Sequence, residues 1–138
     1  MKKEIPAYSF LLQCRLETEQ WRYLIADCRE QLVSFKSRLA ELINESTDEK
    51  FLQTAEKFQE DFLAQDNVVD YLSDEVKQQQ RRIEKTESLG VDMFGEVASA
   101  QTKIRGEIQQ AEELFTNVKS NFIAGVSKLF QKGDSHRA

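Results

Sequence analysis

Residues 11–42 read LLQCRLETEQWRYLIADCREQLVSFKSRLAEL. One set of positions recurs every seventh residue, and a second set lies four residues further along; the two sets are Cys14, Trp21, Cys28, Phe35 and Leu42, and Leu11, Thr18, Ile25, Leu32 and Leu39. Thr18 is the one polar member. A heptad seam of this kind predicts a long helix whose apolar edge must be covered by partner helices.

Two more heptad seams follow, over residues 51–86 and 94–129, and two breaks separate the three. The breaks are residues 44–48 and the pair Leu89–Gly90, where glycine suits a left-handed helix end. We predict helices over about residues 9–43, 48–88 and 92–131, with a frayed tail at 132–138. Asp66 and Asn67 compete with the helical backbone and leave a kink open, but the unbroken register favours one continuous second helix.

The composition agrees with long helices. The chain has 138 residues with a single proline and five glycines, so few residues interrupt a helix. This length suits one domain over residues 1–138. Because short links make consecutive helices antiparallel, the sequence predicts an all-α fold: an elongated antiparallel (up-down-up) three-helix bundle with left-handed coiled-coil-like packing.

Catalytic chemistry lacks its usual residues. No Asp or Glu occupies a seam position, whereas a carboxylate di-iron centre needs inward-facing glutamates. The only histidine is His136 near the end of the chain, and no phosphate-loop or nucleophile-elbow motif is present. We therefore expect no catalytic residue, no metal site and no cofactor. The net charge of −5 also argues against a nucleic-acid partner.

The cysteines and the absence of long apolar runs indicate the cellular compartment of the protein. No window reaches the roughly 20 apolar residues of a membrane span, and no signal-peptide pattern opens the sequence. Cys14 and Cys28 lie on one predicted helix roughly 21 Å apart, so they cannot pair within the chain. We expect a cytoplasmic protein with reduced thiols.

Three polar residues interrupt the seams. Gln79 and Gln101 are predicted at the same level of the contact between the second and third helices, with Thr18 about one layer away. Two interpretations remain open: a hydrogen-bonded layer that locks the register of the helices, which we favour, and a small polar pocket that carries a ligand. No specific small molecule is predicted.

Charges are segregated along the second helix. Asp66, Asp70 and Asp74 stack at intervals of four residues. The first helix carries a basic line beside its seam: Arg15, Arg22, Arg29 and Lys36. We expect this line to neutralise Asp66 and to leave Asp70 and Asp74 facing outward. A solvated face is the favoured interpretation, and a docking site for a basic partner is the alternative.

Apolar residues also lie outside the seams. Leu12, Leu16 and Tyr23 share one outward face of the first helix, which suggests a second contact; the alternative is that broad helices bury more than a strict seam. We predict a non-enzymatic protein-protein interaction or scaffold module that self-associates through the first helix as a homodimer. A subunit of a larger assembly that binds another protein is the alternative within this class. The alternative function is a peripheral membrane-surface binder that uses the amphipathic, lysine-bearing residues 118–132.

Overall fold

The computed structural model describes the backbone of residues 4–137 and the side chains of residues 8–131. It contains three helices, α1 (Glu4–Glu45), α2 (Glu49–Ser88) and α3 (Phe94–Arg137), and the described backbone includes no strand. α1 packs along α2, and α2 packs along α3. Since the links at 46–48 and 89–93 are short, consecutive helices run antiparallel. The predicted up-down-up three-helix bundle is confirmed.

Side chains and one glycine define the two turns. Asp48 is the N-cap of α2, where its Oδ1 accepts hydrogen bonds from the backbone N–H of Lys50 at 2.9 Å and of Phe51 at 3.4 Å. Gly90 has φ +65° after the end of α2, as the sequence predicted. Asp92 then accepts a weak hydrogen bond of 3.5 Å from the N–H of Phe94, the first residue of α3.

Two helix ends differ from prediction. α1 begins at Glu4 rather than near Ser9, because Pro6 lies in the first turn, where its missing N–H is not needed. The backbone of α3 is helical through Arg137, beyond the predicted end at residue 131, and fraying of the tail stays a prediction. Gly133 weakens a helix but does not stop one. α2 runs unbroken through Asp66 and Asn67.

The core coincides with the seams. All eleven predicted seam positions of α2 are the buried residues of that helix. On α1, eight seam positions are buried, and Cys28 and Phe35 are partly buried. Aromatic rings fill one half of the bundle at centroid separations of 5.2 to 6.2 Å: Phe35, Phe58, Phe62, Phe115 and Phe122.

The parallel pair α1 and α3 makes a different contact. The backbones of α1 and α3 each lie close to the backbone of α2 and approach each other much less. Large side chains bridge them instead: the ring of Phe35 lies 5.5 Å from that of Phe122 at one level, and Arg105 reaches Glu17 at another. Between these two bridges the α1–α3 seam is less completely filled, and a cavity forms there.

Candidate functional site

A hydrogen-bonded polar layer crosses the core from α2 to α3. Nε2 of Gln79 donates to Oε1 of Gln101 at 2.8 Å and to the carbonyl oxygen of Val97 at 2.9 Å. Gln79 is 0% exposed and Gln101 is 2% exposed. Both side chains therefore lie at one level of the core, as the heptad register predicted.

The layer continues from α3 to α1. Nε2 of Gln101 donates to Oε1 of Glu17 at 2.8 Å and to the carbonyl oxygen of Cys14 at 3.3 Å. Thr18 reaches that same carbonyl oxygen through its hydroxyl at 2.6 Å. Arg105 donates to both carboxylate oxygens of Glu17, to Oε1 at 2.7 Å and to Oε2 at 2.9 Å. These hydrogen bonds from Arg105 lower the pKa of the Glu17 carboxyl below its ordinary value.

The partners of the layer favour the register lock over a ligand pocket. Arg82 donates to Oε1 of Gln79 at 3.0 Å, so both amides have protein partners for their donors and for their acceptor oxygens. The layer also separates two apolar clusters. A small cluster of Leu11, Cys14, Ile83 and Val97 lies on one side, and the large cluster from Trp21 to Phe122 lies on the other.

The outward face of α1 is exposed as predicted. Leu12, Leu16 and Tyr23 are 39%, 52% and 76% exposed. Tyr8, which precedes Leu12 by four residues, is also exposed and extends the apolar face toward the start of α1. Sequence reasoning missed Tyr8 because the first helix was predicted to begin at about residue 9. We call Tyr8, Leu12, Leu16 and Tyr23 the α1 stripe.

The acidic residues of α2 are partly neutralised within the chain. Lys36 pairs with Asp66, as expected. Asp70 faces outward as expected, but Arg29 pairs with it at 2.9 Å, so the expectation that the basic line leaves Asp70 unneutralised was wrong. Antiparallel packing brings the basic line of α1 beside two successive turns of α2, which a single-helix projection does not show. Asp74 is exposed and forms no ion pair with another described residue.

The end of α3 is largely packed. Val118, Phe122, Val126 and Leu129 contact the large apolar cluster, while Ile123 and Phe130 remain exposed. The guanidinium of Arg38 lies 5.8 Å from the centre of the Phe130 ring, within cation–π range. The bundle therefore accounts for most of the apolar residues in 118–131.

A cavity of about 250 Å³ opens between α1 and α3, with α2 as its floor. Its walls include Ile25, Cys28, Ile108, Ala111 and Phe115. Sequence reasoning missed this cavity because the heptad pattern records whether a seam residue is apolar, not whether it is large. The available signal was the pair of small seam residues, Cys28 and Ala111.

Gln65 on α2 lines the same cavity. It is a buried seam residue, 5% exposed, and its amide has no hydrogen-bond partner among the described residues. Burial raises the pKa of the Cys28 thiol to about 11. The thiol is therefore protonated at neutral pH and behaves as an apolar wall.

The chain matches no protein-family model, no curated protein and no solved structure. Within the described residues, no group of three or more His, Cys, Asp or Glu side chains could hold a metal ion. Over the same part of the chain, none of the helices has an apolar run that would let it cross a bilayer.

Proposed function

We propose that this chain is a non-enzymatic protein-interaction module that self-associates through the α1 stripe. The observation that carries the proposal is the exposure of Leu12, Leu16 and Tyr23 on the outward side of a helix whose inward side is already buried. Large apolar side chains grouped on one surface favour a second contact, because their burial removes apolar area from water.

The length of the stripe suits a helix-to-helix contact. Leu12 and Tyr23 lie roughly 16 Å apart along α1, about three helical turns. Leu89 and Val91 are also exposed, in the turn between α2 and α3. Because α2 is antiparallel to α1, this turn lies at the same end of the bundle as the start of the stripe. Leu89 and Val91 therefore extend the exposed apolar surface at that end.

The charges beside the stripe favour a second copy of the chain as the partner. Glu19 and Arg22 lie between Leu16 and Tyr23 in sequence, and neither forms an ion pair within residues 8–131. In a two-fold contact the same patch meets itself, so an antiparallel pair of α1 helices brings Arg22 of each copy toward Glu19 of the other. The patch is thus self-complementary in charge and in apolar character.

The two other surfaces receive less support. Asp66 and Asp70 have cationic partners within the chain, which leaves Asp74 as the one unpaired acid of the three proposed for docking. The membrane alternative has Ile123 and Phe130 as its exposed large apolar residues, because the rest of that amphipathic segment packs in the bundle. We place the module in the cytoplasm, a compartment that suits the two free cysteines.

The test is the mass in solution. We expect the wild type to show twice the chain mass of 16.0 kDa by light scattering. Leu16→Glu with Tyr23→Glu should give the single-chain mass with an unchanged helical circular dichroism signal. Leu63→Glu, a matched change at an exposed leucine of α2, should leave the mass doubled. A wild type that is monomeric at high micromolar concentration contradicts the proposal.

A further inference from the structure

The cavity between α1 and α3 has a physical origin in the seam. Cys28 lies between the large seam residues Trp21 and Phe35, and Ala111 lies beside Phe115. Both small side chains line the cavity. Because the backbones of α1 and α3 do not close on each other, the volume that larger side chains would fill stays empty.

Gln65 gives the cavity one polar contact point. Gln65 is 5% exposed and therefore 95% buried, yet no described residue forms a hydrogen bond with its amide. Among the described residues, Glu107 Oε1 is the one fully enclosed side-chain atom without a hydrogen-bond partner, so the amide atoms of Gln65 reach accessible space. The cavity that Gln65 lines supplies that space. Buried polar groups are normally hydrogen-bonded, so this amide has an unused donor pair and an unused acceptor.

The mouth of the cavity disfavours anions. Asp27, Glu112 and Lys119 line it, which leaves one excess negative charge. Lys119 is moreover engaged, since its ammonium donates to Oε1 of Gln31 at 3.1 Å. Nε2 of Gln31 in turn donates to Oδ2 of Asp27 at 2.8 Å. The carboxylate of Glu112 forms no ion pair within residues 8–131.

We propose that the α1–α3 cavity binds a small uncharged aromatic molecule that carries one hydroxyl or N–H group. The apolar walls cover the aromatic rings, and the Gln65 amide bonds the polar group. The volume of about 250 Å³ exceeds the about 150 Å³ that holds benzene in an engineered apolar cavity, so two fused rings fit.

Two probes of the same ring shape test the proposal. 2-Naphthol is uncharged at neutral pH, and 2-naphthoate is an anion. By isothermal titration we expect 2-naphthol to bind with a Kd on the order of 0.1 mM, and 2-naphthoate to bind at least about tenfold more weakly. In a ¹⁵N-labelled sample, 2-naphthol should shift the side-chain amide resonances of Gln65, which Gln65→Leu identifies by their disappearance.

Variants on three helices localise the binding. Gln65→Leu removes the polar contact and should weaken 2-naphthol binding by about fivefold to tenfold. Ala111→Phe and Cys28→Phe fill the cavity from opposite sides, and each should abolish binding; if one fails to fold by circular dichroism, the other provides the measurement. Ala64→Phe, at an exposed alanine of α2, should bind like the wild type.

Three outcomes would contradict the proposal. If 2-naphthol at about ten times the expected Kd gives neither a heat of binding nor a resonance shift, the proposal is overturned and the cavity holds only water. Binding that persists in both filling variants overturns it as well, and equal binding of 2-naphthoate overturns the uncharged class of ligand. The proposal is independent of self-association, since Leu16→Glu with Tyr23→Glu should leave 2-naphthol binding unchanged.

Discussion

Gln79 on α2 and Gln101 on α3 form a hydrogen bond of 2.8 Å through the core, although 22 residues separate them in the chain. Each amide also bonds a second group: Gln79 the carbonyl oxygen of Val97, and Gln101 the carboxylate of Glu17. Such a layer is costly to disrupt, because an amide that loses its partner stays buried.

Gln101→Leu should destabilise the bundle, because Gln79 then keeps a buried amide with one partner fewer. We expect the free energy of unfolding in urea to fall by about 1–3 kcal/mol. Gln79→Leu with Gln101→Leu removes both amides, so it should cost less than the sum of the two single variants. If the loss of unfolding free energy in the double variant equals the sum of the losses in the two single variants, the amides do not act as a pair.

Glu17 should make stability depend on pH. Its pKa is lowered in the folded state by the hydrogen bonds from Arg105, so the stabilisation is present above the ordinary Glu pKa and is lost as the pH falls through the lowered value. We expect Glu17→Gln to cost about 1 kcal/mol or less at neutral pH, since the pair is partly exposed and screened by solvent. Urea titrations across the acid range should show this difference shrink toward zero, and a constant difference would contradict the assignment.

Replacement of Gly125 and of Gly106 by alanine should have opposite effects on the stability of the bundle. A Cβ at Gly125 would lie 2.6 and 2.9 Å from ring atoms of the buried Phe58, whereas a Cβ at Gly106 would meet nothing within 4 Å. Gly106→Ala should therefore stabilise α3 by about 1 kcal/mol through helix propensity. Gly125→Ala should destabilise the bundle by about 1–3 kcal/mol through overpacking.

Thermal unfolding of the two glycine variants checks the comparison directly. Phe58→Leu should reduce the penalty of Gly125→Ala, because the shorter side chain frees the space that the methyl group needs. Equal stabilisation by both alanine variants would mean that α3 does not approach Phe58 closely.

Cys28 should react slowly with thiol reagents. Burial raises its pKa from 9.0 to about 11, which lowers the thiolate fraction at neutral pH by about 100-fold. In a Cys14→Ser variant, alkylation by iodoacetamide followed by mass spectrometry should be slower by at least that factor than in the same chain unfolded in urea. Similar rates in the folded and unfolded chains would place the thiol in open solvent.

Sequence reasoning succeeded where periodicity alone decides the outcome. It identified the buried faces of all three helices and the shared level of Gln79 and Gln101, because heptad position determines which side of a helix faces its neighbours. It missed the pairing of Arg29 with Asp70, because the axial offset between antiparallel helices is not written in either helix. It also missed that the Gln65 amide has no hydrogen-bond partner among the described residues, because a heptad pattern does not record which polar groups are paired.

The amino-acid sequence was enough to specify three helices, their order, their inward faces and an apolar stripe on the outside of α1, since each follows from local helix geometry and short links. The three-dimensional packing alone decided which charges pair, how the glutamine layer is satisfied and where α1 and α3 leave a cavity. These depend on helix separation and offset, which the summed packing of all side chains sets.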